Sequence, residues 1–576
     1  MPTPVQKQAV RRVPLEFDQN GDPIFNSWTS PECFKVHALG ILPPRHVIPI
    51  IFVPGIMGTN LCANGSGQKE GAAAWIPPNG NAEGVSEWRR RLKQKPAERQ
   101  KQMTPDHVKV DNSRKVELPR DLYTLTEDEA CRRGWGEVHF DSYGTWLPAM
   151  EIALNDQREN PGTAQSCPLP EWVTAMTLRK PRGDQFEDVL PHWNPVKGGV
   201  TALTRDEFAR LDDYYYPVWA CGYNWLASCE DGSELLLKRI HEALDWYDKS
   251  HYFILEGRVI VVTHSMGGLV ARRAAQKAPE LILGVVHGVQ PVTGAPVVYR
   301  RFRAGTEADG LFDLPAAFAA TIIGWDAADV TCVLGNSPGP LELLPTQHYP
   351  PGWLQFEQHR DGKITQAMPP LPVADPYAEI YAKSVQDVWW GMVDETLIDP
   401  ANLAPKNKTA FTMYGDALTT AKSFHDNVKL DCHPNTYAYY GCDSEQVAFG
   451  RVRWVTNDVV PDQTKMVLPS VPAARITNTG KAIVAATPRA EIFNLADRES
   501  PQSNNDPNAG DATVPRPSGE KIKAGASLVF KMKGFDHQMS YKDTNVQDVS
   551  FYCIAKIIQT AKPAKDLPQS KGGVCG

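Results

Sequence analysis

One short stretch constrains the fold of this chain more than any other: Val259-Ile-Val-Val-Thr-His-Ser265-Met-Gly-Gly268. A β-branched run ends in a polar tripeptide, and two glycines then open a helical pattern that continues to Arg272. This order predicts a strand, a sharp turn that carries a serine, and a helix whose first N–H groups lie beside the serine oxygen. It indicates a chain that hydrolyses or transfers acyl groups.

Length and composition limit the number of domains and the classes of function that the chain can have. The chain has 576 residues, enough for one elaborated domain or for two to four smaller ones. Its net charge of −7 argues against a dedicated nucleic-acid binder. No stretch reaches the roughly 20 apolar residues of a membrane span. The N-terminus lacks the apolar run of a secretory signal, so we expect a soluble cytoplasmic chain whose export uses no cleaved signal.

Strand and helix patterns alternate in the middle of the chain. Buried strands are predicted at Val47–Val53, Val259–Val262 and Ile282–His287, and a helix over Ser233–Tyr247. Sheet-like sequence resumes at Phe411–Gly415 and Ser527–Met532, and a closing helix is predicted over Val546–Ala561. This order is typical of an α/β fold with a mostly parallel central sheet.

Two insertions interrupt the alternation. We predict five segments: 1–62 with the first core strand, a polar and basic insertion at 63–135, the core with the serine turn at 136–296, a cap or lid insertion at 297–408, and the rest of the core at 409–576.

A serine hydroxyl attacks a carbonyl only when a base removes its proton and fixed donors receive the developing oxyanion. Ser265 is the candidate nucleophile, and the N–H of Met266 is one candidate oxyanion donor. The second donor is expected from the glycine turn after the first core strand, Pro54-Gly-Ile-Met-Gly58. The N–H groups of Ile56 and Met57 are the candidates there.

The carboxylate and the base are expected after the serine, in the order Asp, His. Gly510-Asp511-Ala-Thr-Val-Pro515 presents a carboxylate on a turn, and His537 follows the next predicted strand. Asp416 is the rival acid, and we favour Asp511 because of its position before the histidine strand. His264 and His287 come too early for the base, which indicates packing or supporting roles.

These residues carry a resemblance. Phe52–Thr59, Gly222–Trp225, Val262–Gly268 and Gly510–Pro515 resemble the landmarks of α/β-hydrolase lipases, including the lecithin–cholesterol acyltransferase-like and inositol-deacylase-like branches. A narrower match, from Leu283 to Gly305, is similar to the third class of antibacterial lipase effectors of the type VI secretion system.

The resemblance implies several properties of the chain. It implies an α/β-hydrolase fold and hydrolysis of phospholipids in the envelope of a rival bacterium, after injection into the periplasm. It also implies a cognate immunity protein and a spike or adaptor partner in the producing cell. One position departs from the family pattern Gly-x-Ser-x-Gly, because residue 263 is Thr. We interpret Thr263 as a tolerated variant.

Three segments bear on access of a lipid substrate. The apolar run Leu311–Trp325 fits either a lid helix or a buried core helix of the insertion. The pair Trp389-Trp390 fits the same cap. The basic run Trp88–Lys95, extended by Arg99 and Lys101, fits a solvated helix face, a partner contact or contact with anionic headgroups.

The sequence indicates no cofactor and no metal, because no acidic cluster has the spacing of a Ca²⁺ loop. Eleven cysteines are expected to be mostly free thiols, although Cys432 and Cys442 could pair in an oxidising compartment. Two alternatives to a phospholipase stay open. One is a carboxylesterase or triacylglycerol lipase of the same fold, and the other is an inactive hydrolase used as a binding module.

Overall fold

A seven-stranded sheet organises the molecule. The structure is a computed structural model, and it describes residues 10–27, 37–65, 68–75, 94–120, 122–159, 166–306, 326–457, 474–476, 480–486, 489–564 and 567. In chain order the strands of this sheet are β1 (Ile50–Val53), β2 (Pro195–Lys197), β3 (Val218–Ala220), β4 (Val259–His264), β5 (Ile282–Gly288), β6 (Thr436–Gly441) and β7 (Leu528–Met532).

The spatial order is β2-β7-β6-β5-β4-β1-β3, and every neighbouring pair is parallel except β2 with β7. Both faces of β4 are buried: Val259 and Val261 belong to one hydrophobic core, and Ile260 and Val262 to the other. A strand covered on both faces reads as a continuous apolar run. The predicted α/β architecture with a mostly parallel sheet is confirmed.

Five longer helices cover the sheet: α1 (Trp146–Asn155), α2 (Cys229–Asp248), α3 (Gly267–Lys277), α4 (Ala410–Val428) and α5 (Thr544–Ile558). Apolar residues of α2, α3 and α4 join the core that contains Val261. Residues of α1 and α5 join the core that contains Val262. Because the helix α3 follows β4 directly, its N-terminus lies at the carboxyl edge of the sheet, where ligands of open α/β sheets bind.

Shorter elements complete the described part. The shorter helices are Pro96–Gln102, Glu127–Arg132, Phe140–Tyr143, Pro170–Thr177, Leu190–Trp193, Arg205–Ala209, Val297–Ala304, Ala327–Leu334, Pro338–Leu341 and Arg516–Gly519. Short strands outside the two largest sheets are Val10–Arg12, Glu16–Phe17, Pro23–Ile24, His37–Leu39, His46–Val47, Leu61–Ala63, Ala73–Trp75, Val108–Val110, Arg158–Glu159, Cys167–Pro168, Arg179–Arg182, Gln185–Asp188, Tyr214–Tyr215, Ile254–Leu255, Asp443–Val447 and Ala509–Gly510.

A second sheet joins two distant parts of the chain. Its six strands, in spatial order, are Lys363–Leu371, Leu354–Arg360, Val452–Thr456, Arg489–Leu495, Lys481–Ala486 and Ala474–Ile476. Leu354–Arg360 runs parallel to Val452–Thr456, so the predicted cap insertion pairs with the connection between β6 and β7. No pattern in the sequence predicted this sheet.

Several predictions require correction. Phe411–Gly415 is not a strand but part of α4. Cys432 and Cys442 are free thiols, as expected for most of the cysteines, and the alternative of a pair between them is not formed. Arg99 does not lie on a solvated face, because it is buried and its Nε lies 3.2 Å from Asp329 Oδ1.

Some predictions concern residues outside the described part. The apolar run Leu311–Trp325 and residues 88–93 of the basic run lie there, whereas Gln94 and Lys95 are described. Trp389 is described, and it packs with Phe356, Trp454 and Phe493 in the core beneath the second sheet. The five-segment division of the chain stays a prediction.

A buried carboxylate connects the insertion to the helix α2. Glu342 is fully buried, and it accepts hydrogen bonds from the Ser228 hydroxyl and, at 2.8 Å, from the N–H of Cys229 at the start of α2. Burial raises the pKa of Glu342 from 4.5 to about 8, although these hydrogen bonds oppose the shift. The neighbouring His425 is buried, which lowers its pKa to about 4 and keeps its ring neutral above that pH.

We expect the stability of the chain to depend on pH through Glu342. A carboxyl group whose pKa is raised in the folded state binds more protons there, so its contribution to stability is full below pH 4.5 and is lost as the pH rises to about 8. The difference in melting temperature between Glu342→Gln and wild type should therefore shift in favour of the variant as the pH rises from 5 to 8. Glu234→Gln, at an exposed carboxylate of α2, is the control. A parallel decline in Glu342→Gln and wild type would contradict this expectation.

Candidate active site

Ser265 occupies a strained turn between β4 and α3. Its φ of 52° places a residue with a Cβ in the left-handed region, and such strain persists only where the surroundings fix it. The Ser265 N–H donates to the carbonyl of Gly288 at the end of β5, at 2.9 Å. The side chain is 3% exposed. The turn therefore lifts the serine oxygen above the carboxyl edge of the sheet.

His537 connects Ser265 to Asp511. Its Nε2 lies 2.7 Å from Ser265 Oγ, and its Nδ1 lies 2.9 Å from Asp511 Oδ2. A carboxylate can only accept, so Nδ1 carries a proton, and in the neutral ring Nε2 is then the acceptor. This tautomer is the one that can take the proton of the serine hydroxyl. The three residues predicted as a catalytic triad are brought together in one hydrogen-bonded chain.

The Asp511 carboxylate is fixed by its own loop. Oδ1 accepts the N–H of Thr513 at 3.1 Å and of Val514 at 2.7 Å, which leaves Oδ2 for the imidazole. The Asp511 carbonyl also accepts the His537 N–H at 2.8 Å. Gly441, the last residue of β6, lies directly behind this aspartate, because a Cβ there would stand 2.5 Å from the Asp511 Cβ.

The rival acid is elsewhere. Asp416 lies on α4, about half exposed, with its carboxylate 2.6 Å from the Lys408 ammonium group. A different carboxylate, Asp443, was not predicted from the sequence; it follows β6 and is 7% exposed. It accepts the N–H of Gly534 at 2.9 Å and so holds the loop that leads to His537. Because no strand was predicted over residues 436–441, its position two residues beyond β6 carried no signal in the sequence.

The glycine turn after β1 abuts the nucleophile. The Gly58 N–H donates to the Gly55 carbonyl at 3.0 Å, and Met57 has a φ of 64°, as expected for the third residue of a type II turn. A Cβ on Gly55 would lie 2.9 Å from the Ser265 Cβ. Only a glycine allows this approach.

Three backbone N–H groups near the nucleophile, on the glycine turn and at the start of α3, have no acceptor in the described part of the chain. Within the described residues, the N–H groups of Met266, Ile56 and Met57 make no hydrogen bond. Unpaired buried N–H groups are rare, and here Met266 is fully buried at the start of α3. These are the donors predicted for an oxyanion. Within the same residues, no group of three or more His, Cys, Asp or Glu side chains could hold a metal ion.

Thr263, two residues before the nucleophile, has a hydrogen-bond partner on the neighbouring strand β5. Its Oγ1 lies 2.9 Å from Nδ1 of His287, its neighbour across the β4–β5 pair, and its carbonyl accepts the hydroxyl of Tyr541 at 2.9 Å. Burial lowers the pKa of His287 to about 3, so this ring stays neutral. His287 and His264 both lie next to the triad rather than in it.

Seventeen chains of solved structures are similar to this chain. A chain in the crystal structure of the Tle4–Tli4 complex aligns with a TM-score of 0.71 and 27% sequence identity, over 90% of this chain and 100% of that chain. No protein-family model matches the chain, and no curated protein matches it. The likeness agrees with the α/β-hydrolase architecture expected from the motifs.

Asp511 and Asp416 can be separated by substitution. We expect Asp511→Asn to lower the turnover of an ester substrate by about 10³–10⁴-fold, because the amide favours the wrong imidazole tautomer. Asp416→Asn should leave turnover within about 2-fold, since its carboxylate meets only Lys408. Steady-state hydrolysis of a soluble ester measures both. Loss of turnover in Asp416→Asn alone would reverse the assignment.

Thr263→Val tests the Thr263–His287 contact. The variant keeps the shape of the side chain but leaves Nδ1 of His287 without its partner, which should cost about 1–3 kcal/mol of stability. Thermal or denaturant unfolding measures this loss. Thr263→Ser retains the hydroxyl and serves as the control. Equal stability of wild type and Thr263→Val would show that the contact contributes nothing.

Proposed function

We propose that this chain is a serine lipase that hydrolyses ester bonds of membrane phospholipids through Ser265, His537 and Asp511. The observation that carries the proposal is the hydrogen-bonded chain from the strained Ser265 through His537 to Asp511, with distances of 2.7 and 2.9 Å. An inactive hydrolase that serves as a binding module would need neither this chain nor the free N–H donors beside it.

The arrangement supports acyl transfer in two steps. His537 Nε2 takes the proton of the Ser265 hydroxyl as Oγ bonds to the ester carbonyl carbon, and the N–H groups of Met266 and of Ile56 or Met57 receive the oxyanion. The imidazolium then gives its proton to the departing alcohol oxygen. Water, deprotonated by the same nitrogen, attacks the acyl-serine, and the proton returns to Oγ when the fatty acid leaves.

The substrate class and the setting rest on likeness. The segment from Leu283 to Gly305 resembles the third class of type VI lipase effectors, and the fold is similar to a chain of the Tle4–Tli4 complex. We therefore propose an antibacterial effector that is injected into the periplasm of a rival cell. A cognate immunity protein and a secretion spike or adaptor protein would be its partners. In the described part, no helix has the length and apolar character of a membrane span.

The test uses phospholipids labelled separately in each acyl chain and presented as vesicles. We expect the wild type to release labelled fatty acid, and Ser265→Ala to release it more than ~10³-fold more slowly, because the nucleophile is lost. Ser337→Ala removes another buried serine hydroxyl, one that donates to the Val333 carbonyl, and is the matched control.

The outcomes separate the alternatives. Equal release by wild type and Ser265→Ala would refute the mechanism. Hydrolysis of triacylglycerols or short esters but not of phospholipids would replace the phospholipase by a general lipase or carboxylesterase. No turnover of any ester by the wild type would favour the binding module.

A further inference from the structure

We propose that His264 and Tyr143 are positioning residues that couple the oxyanion turn to the loop of the catalytic base. The inference rests on the proposed function, and it concerns two side chains that never touch the reacting atoms. His264 precedes the nucleophile, and Tyr143 ends a short helix, Phe140–Tyr143, far away in the chain. The structure places both between Gly55 and His537.

Three hydrogen bonds run in series between these points. His264 Nε2 lies 2.9 Å from the carbonyl oxygen of His537, and His264 Nδ1 lies 2.9 Å from the Tyr143 hydroxyl. The same hydroxyl oxygen lies 3.1 Å from the N–H of Gly55, the first residue of the turn. The chain therefore reaches from the backbone of the base to the backbone of the oxyanion turn.

The direction of every bond is fixed by chemistry. A carbonyl oxygen can only accept, so His264 Nε2 carries the proton and Nδ1 is the acceptor of a neutral ring. Tyr143 must then donate its hydroxyl hydrogen to Nδ1, and its oxygen accepts from the Gly55 N–H. Burial lowers the pKa of His264 to about 3, with a further lowering from His537, so the ring stays neutral at any pH of interest.

Packing leaves these side chains little freedom. Tyr143 is fully buried against Phe52, with ring centroids 4.9 Å apart, and its hydroxyl would be 2.8 Å from a Cβ on Gly58. The His264 ring lies between Tyr143 at 5.6 Å and the His537 ring at 5.1 Å, and Tyr541 covers it at 5.9 Å. A shift of either partner would therefore move the other.

The consequence concerns the transition state. The glycine turn with its oxyanion donors and the loop of the base are separated by most of the chain. Their positions relative to one ester group must nevertheless be correct to a fraction of an ångström. The His264–Tyr143 link joins the two segments directly through side chains. Its loss should weaken binding of the tetrahedral intermediate and leave ground-state binding of the ester unchanged.

The test compares Tyr143→Phe with two substitutions of His264. Tyr143→Phe removes a single oxygen. His264→Asn retains an acceptor near the Nδ1 position but cannot reach the His537 carbonyl, and His264→Gln retains a donor near Nε2. Each variant should lower kcat about 10-fold, with KM within about 2-fold of wild type. The affinity for an alkylboronic acid, which forms a tetrahedral adduct on Ser265, should fall in parallel with kcat.

A double-variant cycle distinguishes coupling from packing. Adding Tyr143→Phe to His264→Gln should cost less than Tyr143→Phe costs alone, because the link is already broken. Tyr414→Phe is the control: it removes a buried tyrosine hydroxyl that donates to the Tyr381 carbonyl at 2.7 Å, and it should leave kcat and adduct affinity unchanged.

Two results would overturn the coupling. One is wild-type kcat and adduct affinity in Tyr143→Phe, and the other is strict additivity of the two substitutions. Undiminished activity of Ser265→Ala would instead reject the proposed mechanism itself, so the two failures can be told apart.

Discussion

Three backbone segments meet around Ser265 more closely than ordinary side chains would allow, and the rest of the site depends on that contact. A Cβ on Gly55 would stand 2.9 Å from the Ser265 Cβ, and one on Gly267 would stand 2.4 Å from the Pro54 carbonyl oxygen. The turn after β1, the end of β4 and the first turn of α3 are thereby locked together. A left-handed serine is tolerated because its neighbours leave it no alternative. The same contact brings the donors of the glycine turn beside the nucleophile.

The histidine rings around this contact differ in whether they can accept a proton from Ser265. A backbone carbonyl determines which nitrogen of His264 carries the proton, and a carboxylate does the same for His537. Burial keeps His264 and His287 neutral, because it lowers the pKa of each ring to about 3. Of the three rings beside Ser265, only the His537 ring is placed to take a proton from it. His537 is therefore the ring that transfers the proton, and His264 and His287 serve as neutral hydrogen-bonding groups that hold the surrounding backbone and side chains.

Local patterns predicted four of the seven strands of the central sheet, β1, β4, β5 and β7, and the three residues that the structure links by hydrogen bonds, Ser265, His537 and Asp511. Burial on both faces makes β4 an apolar run, and the order of serine, aspartate and histidine follows from the order of the strands. Phe411–Gly415 was wrongly predicted to be sheet-like because five residues of mixed polarity show neither a clear strand period nor a clear helix period. The helix there depends on the Thr409 cap and on burial of Tyr414 and Leu418. Asp443 was missed because its partner, the Gly534 N–H, is supplied by a distant loop.

The long connection between β6 and β7 contributes strands to the second sheet without displacing Asp511. The chain leaves the core at Asp443–Val447 and returns at Ala509–Gly510, and these two strands pair with each other, Asp443 opposite Gly510. Asp511 follows this strand pair immediately. Its position is therefore fixed where the connection leaves and re-enters the core, and not by the strands in between. Those strands join the cap insertion through the pairing of Leu354–Arg360 with Val452–Thr456. The insertions are therefore fixed to each other while the triad is fixed to the core. An enzyme built this way can change the surface that meets its substrate with little effect on the geometry of its chemistry.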